Sequence, residues 1–464
     1  MKMKKISWVI LCLFVLFLCW GCSSHEKEKE PSENEKTNKI AIVTPENGPE
    51  SNTKAQTPSD NAENLEDAKE NSETTAPNEN SAAETEGSDD AEATLAPPAS
   101  SDDPDEQIAY YLENMTLADK VAQMFIVTPE SVTDSSVVTV AGEQTKAAIE
   151  EIPVGGFVYL AQNLQTPDQV KEMLSNVQQY SMDRTGLPMF TCVDEEGGSV
   201  ARLNGNPNFN LNYIGNMADI GSSGNVNEAY AVGQELGAYL RELGFNVDFA
   251  PVADVLTNPD NEVVRERSFG SDPQLVADMS SAVLHGLREN GVLGTFKHFP
   301  GHGATQGDSH TGNVTISKTW EELENAELIP FHRGIEEDVD FIMVGHISMP
   351  SEIGDDTPAS LSFRMISENL RDEMGYDGLV ITDAMNMGAI DQLYSSADAA
   401  KKTIQSGTDI VLMPSDFPSA YQAVLNAANA GTIPQNRIDA SVTRILKAKL
   451  RILEEMQNKP APLE

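Results

Sequence analysis

The sequence predicts an α/β fold in which a single (β/α)8 barrel occupies residues 106–464 and follows a disordered acidic segment. In this part of the 464-residue chain, eight short apolar runs alternate with longer amphipathic stretches. Runs that are apolar throughout are typical of strands buried on both faces of a parallel sheet, and eight of them with intervening helices fit a closed barrel. The runs lie at 124–127, 155–160, 189–194, 246–252, 294–299, 341–346, 378–384 and 409–414.

An open, doubly wound parallel sheet is the alternative architecture. Its nucleotide-binding versions carry a glycine-rich phosphate fingerprint after an early strand, and none follows the early runs here. Polar residues also favour the barrel, because several lie in or just after the apolar runs. The carboxyl ends of barrel strands meet at one face, where active sites are built. These polar residues are Asp194, Asp248, Asp254, Lys297, His298, His346 and Asp383.

Residues 1–22 have the pattern of a lipoprotein-type signal peptide. Lysines at the start precede an apolar core at 6–20 that is too short to favour a membrane-spanning helix. The sequence GCSS at 21–24 resembles a bacterial lipoprotein cleavage site, which makes Cys22 the predicted lipidation site. An uncleaved N-terminal anchor is the alternative. In both cases we expect an exported protein held at the outer, cell-wall side of the cytoplasmic membrane.

Residues 23–105 are predicted to be a disordered acidic linker. The segment contains no Trp, Tyr or Phe, so it cannot bury enough apolar surface to offset the loss of chain entropy. Between Ser23 and Glu106 there are 23 acidic and six basic residues, a net −17 of the −42 carried by the whole chain. No basic stripe offsets this charge, so nucleic acid is excluded as an expected partner. Behind a lipid anchor, such a linker would act as a spacer.

The segment Lys297–His310, KHFPGHGATQGDSH, gathers titratable side chains on a loop, because its proline and glycines exclude a regular helix or central strand. Asp308 and His310 are two residues apart, close enough for the carboxylate to accept a hydrogen bond from the imidazole. That contact would fix the tautomer and stabilise the imidazolium, so the pair could act as general acid and then base. A loop histidine bonded to its neighbour without catalysis is the alternative.

Asp383 ends the run at 378–384 and is expected at the barrel mouth, where a carboxylate could act as a nucleophile. The alternative is a cap for the following helix. Zinc ligation by His298, His302, Asp308 and His310 is disfavoured, since the FPG sequence prevents the first two from sharing a helix face and Lys297 adds a positive charge. We therefore expect no metal and no other cofactor.

Seven motifs are spread over the part of the chain that follows the linker: VDEEGGSVARL at 193–203, RERSFGSDP at 265–273, KHFPGHG at 297–303, DSH at 308–310, LIPFHRGI at 328–335, VITDAMNM at 380–387 and RIDASVTRILKAKL at 437–450. Together they resemble glycoside hydrolase family 3, and most closely its bacterial β-N-acetylglucosaminidases. The resemblance covers about three-quarters of the chain, from about Asp105 to the C-terminus. One position departs from the family pattern, since Ala304 stands where aspartate is usual after the second GHG glycine.

The resemblance implies a TIM barrel and a retaining, two-step reaction on terminal β-linked N-acetylglucosamine. By this resemblance, Asp383 matches the aspartate that forms the covalent glycosyl-enzyme intermediate, and Asp308 and His310 match the acid/base dyad. Residues that match those binding the hydroxyls of the terminal sugar are Asp194, Arg202, Arg267, Lys297 and His298. The predicted partners are a carbohydrate, such as a cell-wall muropeptide, and the membrane through the lipid anchor.

Three other functions stay open at this point. A phosphorylase on the same scaffold is one, because a neutral histidine–aspartate dyad repels phosphate less than a second free carboxylate would. A β-glucosidase is the second, although many take their acid/base from a further domain and only fifty residues follow 409–414. A sugar-binding surface lipoprotein without catalysis is the third, but a binding module needs no nucleophile at the barrel mouth.

Overall fold

The computed structural model of the chain describes residues 103–310 and 312–458. The predicted signal peptide with Cys22, and the predicted linker as far as residue 102, lie outside these residues. Within the described ranges, no helix has both the length and the apolarity needed to span a membrane.

Every predicted apolar run contains a strand. These eight strands are β1 (Phe125–Val127), β2 (Gly156–Val158), β3 (Phe190–Val193), β4 (Val247–Asp248), β5 (Thr295–Phe299), β7 (Phe341–Val344), β9 (Leu379–Thr382) and β10 (Val411–Leu412). Their residues are buried throughout, as expected for strands covered on both faces. Two further strands of two residues each, β6 (Val314–Thr315) and β8 (Ile347–Ser348), were not predicted.

The strands form parallel sheets, so the predicted α/β class is confirmed. A five-stranded sheet has the order β10-β1-β2-β3-β4 and a three-stranded sheet the order β5-β7-β9. Single parallel bridges connect the edges of these sheets, Val252 with Lys297 on one side and Ile381 with Ile410 on the other. β6 and β8 form a separate parallel pair beside them.

Two α-helices precede β1, and the others lie between the strands or after the last one. Many begin at a side chain that accepts a hydrogen bond from the first turn, for example Thr166 before α4 and Asp272 before α7. The helices are α1 (Pro104–Asn114), α2 (Leu117–Gln123), α3 (Glu143–Glu151), α4 (Pro167–Thr185), α5 (Met217–Ser223), α6 (Val226–Leu243), α7 (Pro273–Glu289), α8 (Trp320–Glu324), α9 (Ile329–Glu336), α10 (Pro350–Ile353), α11 (Gly388–Asp391), α12 (Ser396–Ser406), α13 (Phe417–Asn429) and α14 (Gln435–Asn458), with a π-helix at Arg364–Glu373.

Two glycines allow α6 and α7 to pack backbone against backbone. A Cβ atom on Gly233 would lie 2.2 Å from the Val283 carbonyl oxygen, and one on Gly286 would lie 2.4 Å from the Gln234 nitrogen. Any side chain at either position would force the helices apart. This pair of helices precedes β4 and β5 respectively, so its close packing fixes the separation of the strands that carry much of the candidate site.

The core consists of apolar side chains from the strands and from the helices that pack on them. Phe190 of β3 and Phe341 of β7 meet edge to face with ring centroids 5.7 Å apart, although their strands are not neighbours in a sheet. Such contacts across the sheets bury a continuous set of apolar side chains contributed by both.

Asp409, directly before β10, connects four elements at the edge of this core. Its carboxylate, which is fully buried, accepts hydrogen bonds from Arg371 Nη2 at 2.5 Å, the Val380 N–H at 2.9 Å and the Ser441 hydroxyl at 2.6 Å. Arg444 Nη1 lies 3.4 Å away. The π-helix, β9 and α14 are therefore held to the start of β10 by one side chain.

We expect Asp409→Ala to lower the free energy of unfolding by about 3–5 kcal/mol, because it leaves buried cationic and N–H groups without their acceptor. Asp377→Ala is the matched control, since Asp377 pairs with the same Arg444 at 2.8 Å but its side chain is 72% exposed. That surface pair should contribute less than about 1 kcal/mol. Urea unfolding of both variants measures the difference, and similar losses would contradict the role given to Asp409.

Candidate active site

Five charged side chains from β5 and from the loops after β3 and β4 form the clamp, the name used here for Asp194, Glu196, Arg202, Arg267 and Lys297. Lys297 Nζ lies 3.1 Å from Asp194 Oδ1 and 2.6 Å from Glu196 Oε1. Arg267 donates hydrogen bonds of 2.8 and 2.7 Å to the two oxygens of Glu196. Arg202 Nη2 is 3.6 Å from Asp194 Oδ2. Acidic and basic groups therefore alternate through the clamp.

The pairing keeps the buried members of the clamp charged. Burial opposes the ionisation of Glu196, but Arg267 and Lys297 outweigh it and hold the pKa of this carboxyl well below its usual range. Burial likewise opposes the charge on Lys297, but Glu196 and Asp194 raise its pKa. Charged donors and acceptors fixed at a partly open site suit a neutral ligand with several hydroxyl groups.

The members of the clamp differ in their exposure to solvent. The side chain of Lys297 keeps only 3% of its surface exposed, whereas Asp194 and Arg202 keep 24% and 28%. Asp194 and Arg202 are therefore the solvent-accessible members of the clamp, and Lys297 holds Asp194 from the buried side.

Glu195 shapes the loop that presents Arg202. Its buried carboxylate accepts backbone hydrogen bonds from residues 202–204 at 2.6, 3.0 and 2.6 Å, and one of 2.9 Å from the Tyr239 hydroxyl. Without this acceptor, the loop would bury N–H groups that have no partner. Glu195 thus stabilises the loop, whereas Asp194 and Glu196 on either side of it belong to the clamp.

His298 is oriented by the fully buried Asp254. Its Nδ1 lies 2.8 Å from Asp254 Oδ2, and the backbone N–H groups of His298 and His302 donate to Oδ1 at 3.1 and 2.6 Å. The imidazole Nδ1 therefore carries a hydrogen, and Nε2 faces Arg267 Nη2 at 3.5 Å. A register shift in β5 between Lys297 and Phe299 lets two consecutive side chains reach the site.

Asp383 follows β9 directly and is half-buried. Its Oδ1 accepts a hydrogen bond of 2.8 Å from the Ala384 N–H. Burial opposes its ionisation, but the nearby His298 and His346 outweigh it and lower the pKa of the carboxyl. An ionised carboxylate that stays accessible at a strand end has the properties of a nucleophile.

Asp308 and His310 form a contact at the tip of the loop after β5. His310 Nδ1 lies 2.7 Å from Asp308 Oδ1, which also accepts the His310 backbone N–H at 2.9 Å. Partial burial opposes the ionisation of Asp308, but these hydrogen bonds outweigh it and lower its pKa. The imidazole is 64% exposed, so unlike the clamp this dyad faces solvent.

Backbone hydrogen bonds join the loop that carries the dyad to the segment that follows Asp383. The N–H groups of Gly388 and Ala389 each donate a hydrogen bond of 3.2 Å, to the carbonyl oxygens of His310 and Ser309 respectively. The first residues of α11 therefore hold the tip of the loop, and α11 begins five residues after Asp383.

The structure brings the sequence-predicted site residues together in two groups. The contacts described above link the first group, which consists of Asp194, Arg202, Arg267, Lys297 and His298. The second group is Asp308 and His310, whose loop is joined by backbone hydrogen bonds to the segment after Asp383. The contacts of Glu195 and Glu196 were not predicted from the sequence, and Asp254 was predicted only as a strand-end residue. Glu195 and Glu196 directly follow Asp194 in VDEEGG, a run of three acidic residues between a strand and two glycines that could have indicated them.

A family model confirms the class of protein that this fold and site indicate. The model described as the glycosyl hydrolase family 3 N terminal domain matches residues 116–448. The chain belongs to glycoside hydrolase family 3.

Individual relatives carry hexosaminidase and N-acetylglucosaminidase names. The chain is 32% identical to beta-hexosaminidase A of Pseudoalteromonas piscicida over 66% of its own length, and 36% identical to beta-hexosaminidase LpqI of Mycobacterium tuberculosis over 57%. A solved glycoside hydrolase family 3 beta-N-acetylglucosaminidase from Paenibacillus sp. str. FPU-7 is similar at 35% identity and a TM-score of 0.68, covering 74% of this chain. The chain spans 54%, 68% and 63% of these three proteins respectively.

Glu196→Gln should lower kcat/KM on the order of ten- to a hundredfold. The neutral side chain no longer balances Lys297 and Arg267, and small displacements of substrate-positioning groups carry losses of about that size. Glu242→Gln is the control, because Glu242 pairs with Lys171 at the surface with its side chain 58% exposed. Steady-state kinetics of both purified variants checks this, and an unchanged Glu196→Gln enzyme would show that the clamp does not depend on Glu196.

Proposed function

We propose that the protein is a retaining exo-β-N-acetylglucosaminidase that removes terminal non-reducing N-acetylglucosamine. The observation that carries this proposal is the Asp308–His310 contact at 2.7 Å, tied by backbone hydrogen bonds to the segment that follows Asp383. It pairs a proton donor with a carboxylate nucleophile within one catalytic unit. The names of the relatives supply the sugar class.

In the first step, the Asp383 carboxylate attacks the anomeric carbon while the bond to the leaving oxygen breaks. Protonated His310 gives that oxygen its proton, and Asp308 stabilises the imidazolium and holds the ring through Nδ1. The lowered pKa of Asp383 and Asp308 keeps both carboxylates ionised at neutral pH, as these roles require.

In the second step, water releases the sugar from Asp383. Neutral His310 takes a proton from the water as its oxygen attacks the anomeric carbon, and the ester bond to Asp383 breaks. The dyad returns to its starting protonation state. Two displacements at one carbon retain the configuration of the glycosidic bond.

The clamp binds the sugar and orients it for both steps. Asp194 and Arg202 bind the hydroxyl groups from the solvent-exposed side of the clamp, while Lys297 and His298 bind them from β5. Because these groups are already paired and fixed, little reorganisation accompanies substrate binding.

We further infer that the two parallel sheets belong to one closed (β/α)8 barrel. The Val252–Lys297 and Ile381–Ile410 bridges support closure on both sides, and so does membership of the family. In a barrel, the clamp, the dyad loop and Asp383 all follow the carboxyl ends of strands and share one face.

The proposed location is the outer face of the cytoplasmic membrane, with Cys22 lipidated and the acidic linker as spacer. Cell-wall muropeptides are the proposed source of the sugar. The sequence pattern at 1–24 and the composition of 23–105 support this part of the proposal.

We expect kcat/KM for an aryl N-acetyl-β-glucosaminide to exceed that for the matching β-glucoside by at least about a hundredfold. A site built for the 2-acetamido group leaves buried polar partners unpaired when that group is missing. A side-by-side assay of the purified protein, with and without added phosphate, measures the ratio. Comparable rates would refute the N-acetylglucosaminidase assignment, and sugar 1-phosphate as the main product would identify a phosphorylase.

A fluorinated glycoside that traps the covalent intermediate should label Asp383, because this carboxylate is ionised and accessible. Peptide mass spectrometry locates the label. Asp391→Ala, a change in the exposed carboxylate at the end of α11, should leave labelling intact, whereas Asp383→Ala should abolish it. A label on any other carboxylate would rule out the nucleophile assignment.

A further inference from the structure

A buried histidine lies beneath the loop that carries the dyad. His302, two per cent exposed, begins a short 3-10 turn after the clamp residues of β5, and its ring lies between two hydroxyl groups. Thr305 Oγ1 is 3.0 Å from Nδ1, and Ser309 Oγ is 3.3 Å from Nε2. Ser309 separates Asp308 from His310 in the sequence, and it is itself buried.

The hydrogen-bond network assigns the tautomer of His302. Thr305 Oγ1 also contacts the His302 carbonyl oxygen at 2.9 Å, and a carbonyl can only accept, so the single threonine hydrogen is donated there. Nδ1–H must then donate to Thr305 Oγ1. This leaves Nε2 as a lone-pair acceptor aimed at Ser309, whose hydroxyl donates to it.

The His302 imidazole is neutral at neutral pH, as this hydrogen-bond arrangement requires. Burial, together with the neighbouring His298, lowers the pKa of His302 to about 4. Asn261 fixes the turn from the other side, because its Nδ2 donates to the His302 carbonyl at 2.8 Å. His302 is thus a rigid, uncharged acceptor at the base of the loop.

We propose that His302 and Ser309 act as a positioning pair that holds the acid/base dyad in place for proton transfer. Two hydrogen bonds hold Ser309. Its hydroxyl donates to His302 Nε2, and its carbonyl oxygen accepts from the Ala389 N–H. The residues on each side of it, Asp308 and His310, are partly or largely exposed. The buried serine is therefore the anchor from which the exposed dyad projects. This inference rests on the proposed acid/base role of the dyad.

The consequence of losing the anchor follows from the geometry of proton transfer. A general acid must come within about 2.6–3.2 Å of the oxygen that it protonates. The loop is exposed before the dyad, at Gln306 and Gly307, and Gly307 has a φ of 93°. Without the Ser309–His302 contact, His310 would spend less time within reach of the leaving oxygen, while the clamp and Asp383 would be unchanged.

The test is Ser309→Ala, measured alone and in a His310→Ala background. Alone, it should lower kcat for a disaccharide of N-acetylglucosamine about five- to tenfold, with KM nearly unchanged. With His310→Ala already present, it should cause no further loss beyond about twofold, because the group that it positions is gone. Ser309→Thr keeps the hydroxyl and should restore most of the activity. Thr315→Ala, which removes an exposed hydroxyl from β6 just after this loop, is the matched control.

Hydrogen–deuterium exchange gives a readout that does not depend on turnover. Ser309→Ala should raise exchange in the loop at 304–310 and leave exchange in the strands and helices as it is. Should the alanine variant fold poorly, Ser309→Cys supplies a side chain of similar size with a much weaker donor, and the same changes are expected.

The outcomes separate this inference from the proposed function. An unchanged Ser309→Ala enzyme beside an impaired His310→Ala enzyme would overturn the positioning pair alone. Equal losses from Ser309→Ala in both backgrounds would also overturn it, since they would indicate a general structural effect. A fully active His310→Ala enzyme would refute the acid/base dyad, and the positioning pair with it.

Discussion

The candidate site depends on the pairing of charges that are buried together. Without its carboxylate partners, the buried Lys297 ammonium would lose its proton or unfold the site, because burial of an unpaired charge is strongly unfavourable. Glu196 balances both Lys297 and Arg267, so the three remain ionised beneath Asp194 and Arg202. The loops after β3 and β4 and the strand β5 must therefore keep their relative positions. The glycine-mediated packing of α6 against α7 helps to hold them there.

In the proposed function, the clamp and the dyad divide two tasks that need different surroundings. Sugar binding requires groups that do not move, and the clamp is fixed by its ion pairs near the strand ends. Proton transfer requires a group that gives up and regains a proton in contact with water, and His310 is exposed on a loop. The two regions share the KHFPGHG segment, where Lys297 belongs to the clamp, His298 lies against it and His302 contacts the dyad loop. One continuous segment would then connect binding to acid/base chemistry.

Much of the fold could be predicted from the sequence because strands buried on both faces leave uninterrupted apolar runs, and all eight runs contain strands. β6 and β8 were not predicted because, unlike the equally short β4 and β10, they lie outside the uninterrupted apolar runs. In the site, Asp308 and His310 could be predicted to touch from their spacing alone. Glu195, Glu196 and Asp254 could not be given their parts, since only the folded chain shows which of several acidic side chains accepts backbone N–H groups and which balances a cation.

The exposure of the dyad loop has a consequence for inhibitor chemistry. A small sugar mimic that occupies only the clamp would meet the groups that the family resemblance assigns to sugar binding, and selectivity among family members would be poor. The loop at 304–310 differs, since Ala304 stands where aspartate is usual, and Gln306, Gly307 and His310 of this loop are exposed. Substituents that extend from the mimic toward this loop would contact a region in which this protein departs from the family pattern.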